Sequence, residues 1–197
     1  VPYWDSCASI SASGRHPPAF FVFKAVLLPV GGLTLVYWPL LAYWLRELSL
    51  SAHRHAGDRQ AASHPIERII ALAGCGAALA LILYTTLLGA VGDFYQLQRR
   101  MGIILFFGLT GLCHLLAVRQ MLRLPVPRRP DGYRIQFALS ALLLGGGLLN
   151  VVLSLVLTDF GAIEDAIEWC FALVMISQFA VTGLLWRRSG FRLIAAP

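Results

Sequence analysis

The sequence predicts an all-α fold, a polytopic bundle of five transmembrane helices forming a single domain over residues 1–197. Three observations carry that reading. The chain is 58% hydrophobic and 13% charged with a mean hydropathy of +0.71, which lies outside the range of soluble domains of this size. Five stretches supply the roughly 20 apolar residues needed to cross about 30 Å of hydrocarbon, where no water can satisfy an open backbone. Each is continuously apolar and at least twice the roughly 10-residue length of a barrel strand, which sets a transmembrane β-barrel aside.

The first segment, residues 20–45, is rich in Phe, Val and Leu, and Pro29, Pro39 and the Gly31-Gly32 pair predict a kink in it. The second spans residues 69–92 and the third residues 101–121, with small side chains at Gly74, Ala78, Gly108 and Gly111 that let neighbouring helices approach closely. The fourth, residues 135–158, contains Gly145-Gly146-Gly147, and the fifth covers residues 163–186. Tyr37, Trp38, Tyr43, Trp44, Tyr95, Trp169 and Trp186 fall near predicted helix ends and read as interfacial anchors. The link from Leu124 to Gly132 holds three prolines and ends in a turn signal, so an extended, solvent-facing connection is expected.

Arginine distribution orients the bundle. Arg46, Arg54, Arg59 and Arg68 follow the first segment, Arg119, Arg123, Arg128, Arg129 and Arg134 surround the third link, and Arg187, Arg188 and Arg192 lie in the tail. The other side holds Arg15, Lys24, Arg99 and Arg100 with acidic Asp159, Glu164 and Asp165. The positive-inside rule places the first set, and the C-terminal tail at 187–197, in the cytoplasm, and residues 1–18 in an extracytoplasmic loop. Topology and attraction to anionic lipid account for the net charge of +6, so no nucleic-acid partner is expected. Cys7, Cys75, Cys113 and Cys170 are scattered without a C-x-x-C spacing, which suggests neither a zinc site nor a disulfide framework. His53, His55 and His64 have no cysteine or carboxylate cluster beside them, and a bis-histidine haem needs a second embedded histidine besides His114. No metal and no cofactor are expected. Nucleophile-elbow, zincin and P-loop motifs are absent from the sequence.

Polar residues inside membrane segments point to function, because each costs several kcal/mol unless paired or hydrated. Here they are Lys24, Asp93, His114, Asn150, Glu168 and Gln178. With a rise of about 1.5 Å per residue, Lys24, Asp93, Asn150 and Glu168 are expected to converge at the extracytoplasmic end as a polar pocket with His114 as its floor. A plainer reading competes for each: Lys24 and Asp93 as interfacial charges, Glu168 as an acid at a helix start, His114 as a hydrogen bond between helices.

Several stretches together resemble a membrane family. They are Val1-Pro2-Tyr3-Trp4-Asp5-Ser6-Cys7-Ala8-Ser9-Ile10-Ser11-Ala12-Ser13-Gly14, Pro17-Pro18, Val22-Phe23-Lys24, Gly92-Asp93-Phe94, Phe107-Gly108-Leu109-Thr110-Gly111-Leu112-Cys113-His114, and Ala166-Ile167-Glu168-Trp169. The chain is similar in these to the FRAG/DRAM/SFK-type family, which includes the post-GPI-attachment lipid-remodelling factor, the damage-regulated autophagy modulators and the N-terminal half of the yeast cell-wall ceramide-remodelling protein. The resemblance implies six helices, the first preceding the loop that begins at Val1. Many relatives carry a histidine just after the Asp-Phe pair, whereas here Tyr95-Gln96-Leu97-Gln98-Arg99-Arg100 follows, which puts catalysis in question.

What the resemblance implies is binding or remodelling of lipids or lipid anchors at the extracytoplasmic leaflet, with acyl transfer as one proposed chemistry. In such a reaction His114 or a carboxylate acts as general base toward a lipid hydroxyl, and Asp93 or Glu168 orients it. Lys24, Asn150, Trp169, Ser9 and Ser11 then form the expected lipid-binding set. The expected partners are membrane lipids. The main rival is a non-catalytic adaptor packed against other membrane-protein subunits. A transporter ranks third, because few charges lie at the midplane and no inverted repeat is visible.

Overall fold

A computed structural model describes residues 18–56, 65–156 and 161–192, and among these the regular structure is helical. Five long helices follow one another: α1 (Ala19–Ala56), α2 (Pro65–Thr86), α3 (Asp93–Arg123), α4 (Tyr133–Val156) and α5 (Gly161–Arg188), with a short 3-10 turn at Val126–Arg128. All five are long and apolar enough to cross a membrane, and the protein is a multi-pass integral membrane protein. Ser9, Ser11, the Asp159 position and the 193–197 tail lie outside the described residues.

Consecutive helices pack antiparallel, as their contacts show. Gly31 meets Ile82 and Gly74 meets Trp38 between α1 and α2, while Gly102 meets Tyr84 between α2 and α3. Gly111 meets Leu143 between α3 and α4, and Gly146 meets Phe171 between α4 and α5. In each case a missing Cβ lets a large side chain lie against the backbone, the close approach on which helix association in lipid depends. We call the end where α1 begins the upper end and the opposite one the lower end.

The lower half is closed. Trp38, Leu41, Trp44, Leu45, Ile70, Cys113, Ala117, Met121 and Leu185, from four helices, form its buried core. There α5 reaches α1: the Trp44 indole donates to Ser189 Oγ at 3.0 Å, and the Tyr37 ring sits 4.8 Å from Phe179 and 5.4 Å from Trp186. α5 ends in a left-handed cap, with Gly190 at φ 65° and the Phe191 N–H donating back to Trp186 O at 3.1 Å. The upper half has a smaller core of Leu81, Tyr84 and Leu88, with Phe23, Leu27, Ile103 and Phe106 against it, and every one of these residues comes from α1, α2, α3 or the turn after α2. Upper α4 is largely exposed, with Leu148 at 67% and Leu155 at 81%. The bundle is tight below and parted above.

Several expectations change. Trp38 and Trp44 are core residues, 0% and 2% exposed, rather than interfacial anchors: Trp38 fills the gap that Gly74 leaves, and the Trp44 indole hydrogen-bonds to Ser189. The second helix stops at Thr86 and the third begins at Asp93, since Gly89 and Gly92 adopt φ of 87° and 125°, which no continuing helix permits. α1 runs on to Ala56, well past the expected end at residue 45, with Pro29 and Pro39 inside it. Pro39 has no N–H for the carbonyl of Leu35 four residues back, and the Cys75 thiol of α2 donates to that oxygen at 3.7 Å. The α3–α4 link is not simply extended: Leu124 and Pro130 are buried, and Arg129 donates to the carbonyls of Leu122 and Leu124 at 2.8 and 3.0 Å, capping α3.

Candidate functional site

Between the parted upper helices lies a half-open cavity of about 580 Å³. Two walls face each other across it. One is basic: Gln96, Arg99 and Arg100 of α3 stand above apolar Ile103, Ile104 and Phe107, with Tyr84 and Leu88 beside them. The other, from α4 and α5, presents Asn150 and Glu168 together with Ile167 and Phe171.

The polar groups share a depth. Arg100, Asn150 and Glu168 each sit about two turns, or roughly 10 Å, inside the upper ends of α3, α4 and α5. α3 reaches the cavity through two turns whose Phe94, Leu97 and Met101 are 65%, 59% and 48% exposed, an apolar ridge suited to a membrane interface. Arg99 is fixed by the turn after α2, where its Nη1 donates to Ala90 O at 2.6 Å and Leu87 O at 3.2 Å. Arg100 is exposed and makes no ion pair among the described residues. Asn150 Oδ1 is buried and has no hydrogen-bond partner among them, a costly state for an amide oxygen in a largely apolar setting.

A second polar layer crosses the lower half. His114 is 0% exposed, and Gln136 Nε2 of α4 lies 3.0 Å from its Nδ1, a hydrogen bond between the two helices. The His114 ring is edge-on to Phe179 at 5.1 Å and tilted against Trp38 at 5.2 Å. Gln178 of α5 donates to Ser140 Oγ at 3.1 Å. These bonds join α3 to α4 and α4 to α5, as interhelical amides and hydroxyls do in lipid. Along α3, His114 is about 21 Å from Arg100, and along α5, Gln178 is about 15 Å from Glu168.

Of the residues singled out in the sequence, the structure brings together Asn150 and Glu168. His114 belongs to the lower layer and is not the floor of the cavity. Ile103, Ile104, Phe107 and Phe171 line its apolar part instead. Asp93 is exposed at the first residue of α3 and does not line the cavity. Lys24 is half-buried on α1, its Nζ 5.5 Å above the Phe20 ring, and Trp169 is half-buried on α5; neither lines the cavity. Ser9 and Ser11 lie outside the described residues.

Arg99, Arg100 and Gln96 are the cavity residues that the sequence reading passed over. A signal existed, since paired arginines directly before an apolar run on the side poor in arginine are expensive to place and ask for a reason. Gln136 offered none, because a lone glutamine near a helix start looks interfacial. Comparison with known proteins finds no matching family model, no matching curated protein and no matching solved structure.

Proposed function

We propose that this integral membrane protein binds a membrane lipid from the extracytoplasmic leaflet, with the headgroup in the upper cavity and the start of an acyl chain along its apolar wall. The observation that carries this reading is the meeting of Arg100, Asn150 and Glu168 at one depth, with Ile103, Phe107 and Phe171 beside them, in a half-open cavity of the upper half. A basic and an acidic group that share an apolar cavity at the edge of a bilayer match an amphiphile better than a water-soluble solute. Orientation follows from charge. Arg46, Arg68, Arg123, Arg134, Arg187 and Arg188 belong to lower helix ends, against Arg99 and Arg100 above, so the upper end faces away from the cytoplasm. Similarity of the Gly92-Asp93-Phe94, Phe107–His114 and Glu168-Trp169 stretches to the FRAG/DRAM/SFK-type lipid-handling family supports the same reading.

Remodelling by acyl transfer is the finer part of the proposal, and geometry favours binding over turnover. The expected base His114 lies about 21 Å along α3 from Arg100, and Asp93 is off the cavity. Glu168 is the carboxylate in the cavity wall.

The test is native mass spectrometry of the purified protein released from mild detergent, with extraction and identification of retained lipid. Wild-type protein keeps about one lipid that survives detergent exchange, and Glu168→Gln and Arg100→Gln lose it while melting as the wild type does. Protein that keeps no lipid, and is recovered only with a larger membrane protein, would replace this reading with that of an adaptor subunit.

A further inference from the structure

We infer that the lower end of the bundle holds the phosphate of an anionic phospholipid between Arg129, Arg134 and Arg188. This site is separate from the upper cavity and does not rest on it. Three elements bring the guanidiniums to one place. Arg129, in the α3–α4 link, is half-buried and fixed by the carbonyls of Leu122 and Leu124. Its Nη1 donates to the Tyr133 phenol oxygen at 3.4 Å, and its guanidinium lies 5.4 Å from the centre of that ring. Arg134, the next residue of α4, reaches the same hydroxyl. Arg188 comes from the last turn of α5, and a Cβ on Gly132, the residue before Tyr133, would stand 3.7 Å from its Nη1. Gly132 turns the link into α4 there at a φ of 99°, which side chains disfavour.

Charge and hydrogen-bonding capacity decide the class of ligand. Three cations stand together, and none has an ion pair among the described residues, exposed Asp131 of the same link included. Like charges held close repel, so an anion between them is attracted by all three. Guanidiniums offer only N–H donors, and the phenol, already accepting from Arg129, has its O–H left to give. Phosphate oxygens accept, and a guanidinium fork fits two of them. The adjoining helix faces make the ligand a lipid. Phe137, one turn deeper on α4 than Arg134, and Leu184, one turn deeper on α5 than Arg188, are both exposed, and an acyl chain below a headgroup at the arginines runs along them. A choline or ethanolamine headgroup brings a further cation into the cluster, whereas a glycerol headgroup leaves the phosphate charge uncompensated. On the orientation argued above, the lower end meets the cytoplasmic leaflet, where anionic lipid is found.

Native mass spectrometry with added lipid tests this, using phosphatidylglycerol, phosphatidylcholine and phosphatidylethanolamine of identical acyl chains. Wild-type protein is expected to bind the glycerol lipid about tenfold more tightly than either zwitterion. Arg134→Gln and Arg188→Gln, at exposed positions, each weaken the glycerol lipid by about fivefold, and the double variant loses the preference. Arg68→Gln removes a cation from the same end, on α2, and keeps the preference; Arg100→Gln, in the upper cavity, keeps it too. Equal binding of the three lipids by the wild type overturns the site. A preference that falls as much with Arg68→Gln as with Arg134→Gln shows diffuse attraction to basic residues and overturns it as well. Loss of the preference in Arg100→Gln places the anionic lipid in the upper cavity, with the same result. An intact preference in protein whose upper cavity holds no lipid sinks the cavity reading and leaves this one standing. Equal melting temperatures of the variants and the wild type separate lost binding from lost fold.

Discussion

At the scale of single residues, absent side chains shape this bundle as much as present ones. A Cβ on Gly74 would lie 2.2 Å from Trp38 Cγ, against a rigid, fully buried indole, whereas one on Gly31 would meet the flexible end of Ile82 at 2.5 Å and one on Gly32 would meet nothing within 4 Å. The three glycines therefore form a graded series on two facing helices. Gly74→Ala is expected to destabilise by about 1–3 kcal/mol, the usual cost of overpacking. Gly31→Ala should cost less, and Gly32→Ala should be neutral or gain up to about 1 kcal/mol from helix propensity. Thermal unfolding in detergent, followed by tryptophan fluorescence, measures the order, and an equal effect at all three sites contradicts the packing described. The His114 layer has its own check. Gln136→Leu removes the hydrogen-bond partner of Nδ1 and strands a buried imidazole, for a loss of about 1 kcal/mol. Lipid retention should not change, since the layer is remote from the cavity; retention that falls with Gln136→Leu would tie His114 to binding after all.

At the scale of elements, α1 shows how a helix in lipid keeps a proline in its interior. In water the Leu35 carbonyl freed by Pro39 could turn to solvent, but in a membrane it needs a partner from the protein, and Cys75 of α2 provides one. The thiol is a weak donor, so Cys75→Ala should cost about 0.5 kcal/mol. Pro39→Ala restores an N–H to the helix ladder, and in that background the Cys75→Ala penalty should vanish. A double-mutant cycle reads this coupling directly. Additive effects would mean that the thiol does no more than fill space. The short turn between α2 and α3 carries more weight than its length suggests. Gly89 and Gly92 at positive φ end one helix and permit the next, and Arg99 returns to the exposed carbonyls, which holds the basic wall of the cavity in place.

For the whole molecule, the important contrast lies between the two ends. Ring contacts of Tyr37 and Phe191 and the Trp44–Ser189 hydrogen bond draw α5 onto α1 below, and above the α4–α5 pair stands away from α2 and α3 and leaves the cavity. Which end faces out is a matter of charge, and it can be measured. In a cysteine-free background, Val91→Cys, at a site 91% exposed in the upper turn, should react with an impermeant maleimide applied from outside, and Asp131→Cys in the lower link should react only after permeabilisation. The reverse pattern would move the cavity to the cytoplasmic leaflet and change which lipids reach it.

The sequence by itself determined the class of solvent, the five apolar helices and the alternation of their directions, because only apolar helices of a minimum length or closed barrels cross a hydrocarbon core, and these runs are too long and too continuously apolar for barrel strands. It also marked Asn150 and Glu168, since a polar group in a membrane segment stands out against its neighbours. Only the tertiary structure decided which faces meet. A soluble helix announces its buried side as an apolar stripe, but helices surrounded by lipid are apolar on every side, and the pattern that would distinguish Trp38 in the core from Leu33 in lipid is absent. For the same reason His114 and Glu168, both polar and both embedded, could not be assigned to one site or two from their spacing. Separate layers result because Gly74, Gly111 and Gly146 set which side chains come close, and that depends on the shape of two surfaces at once.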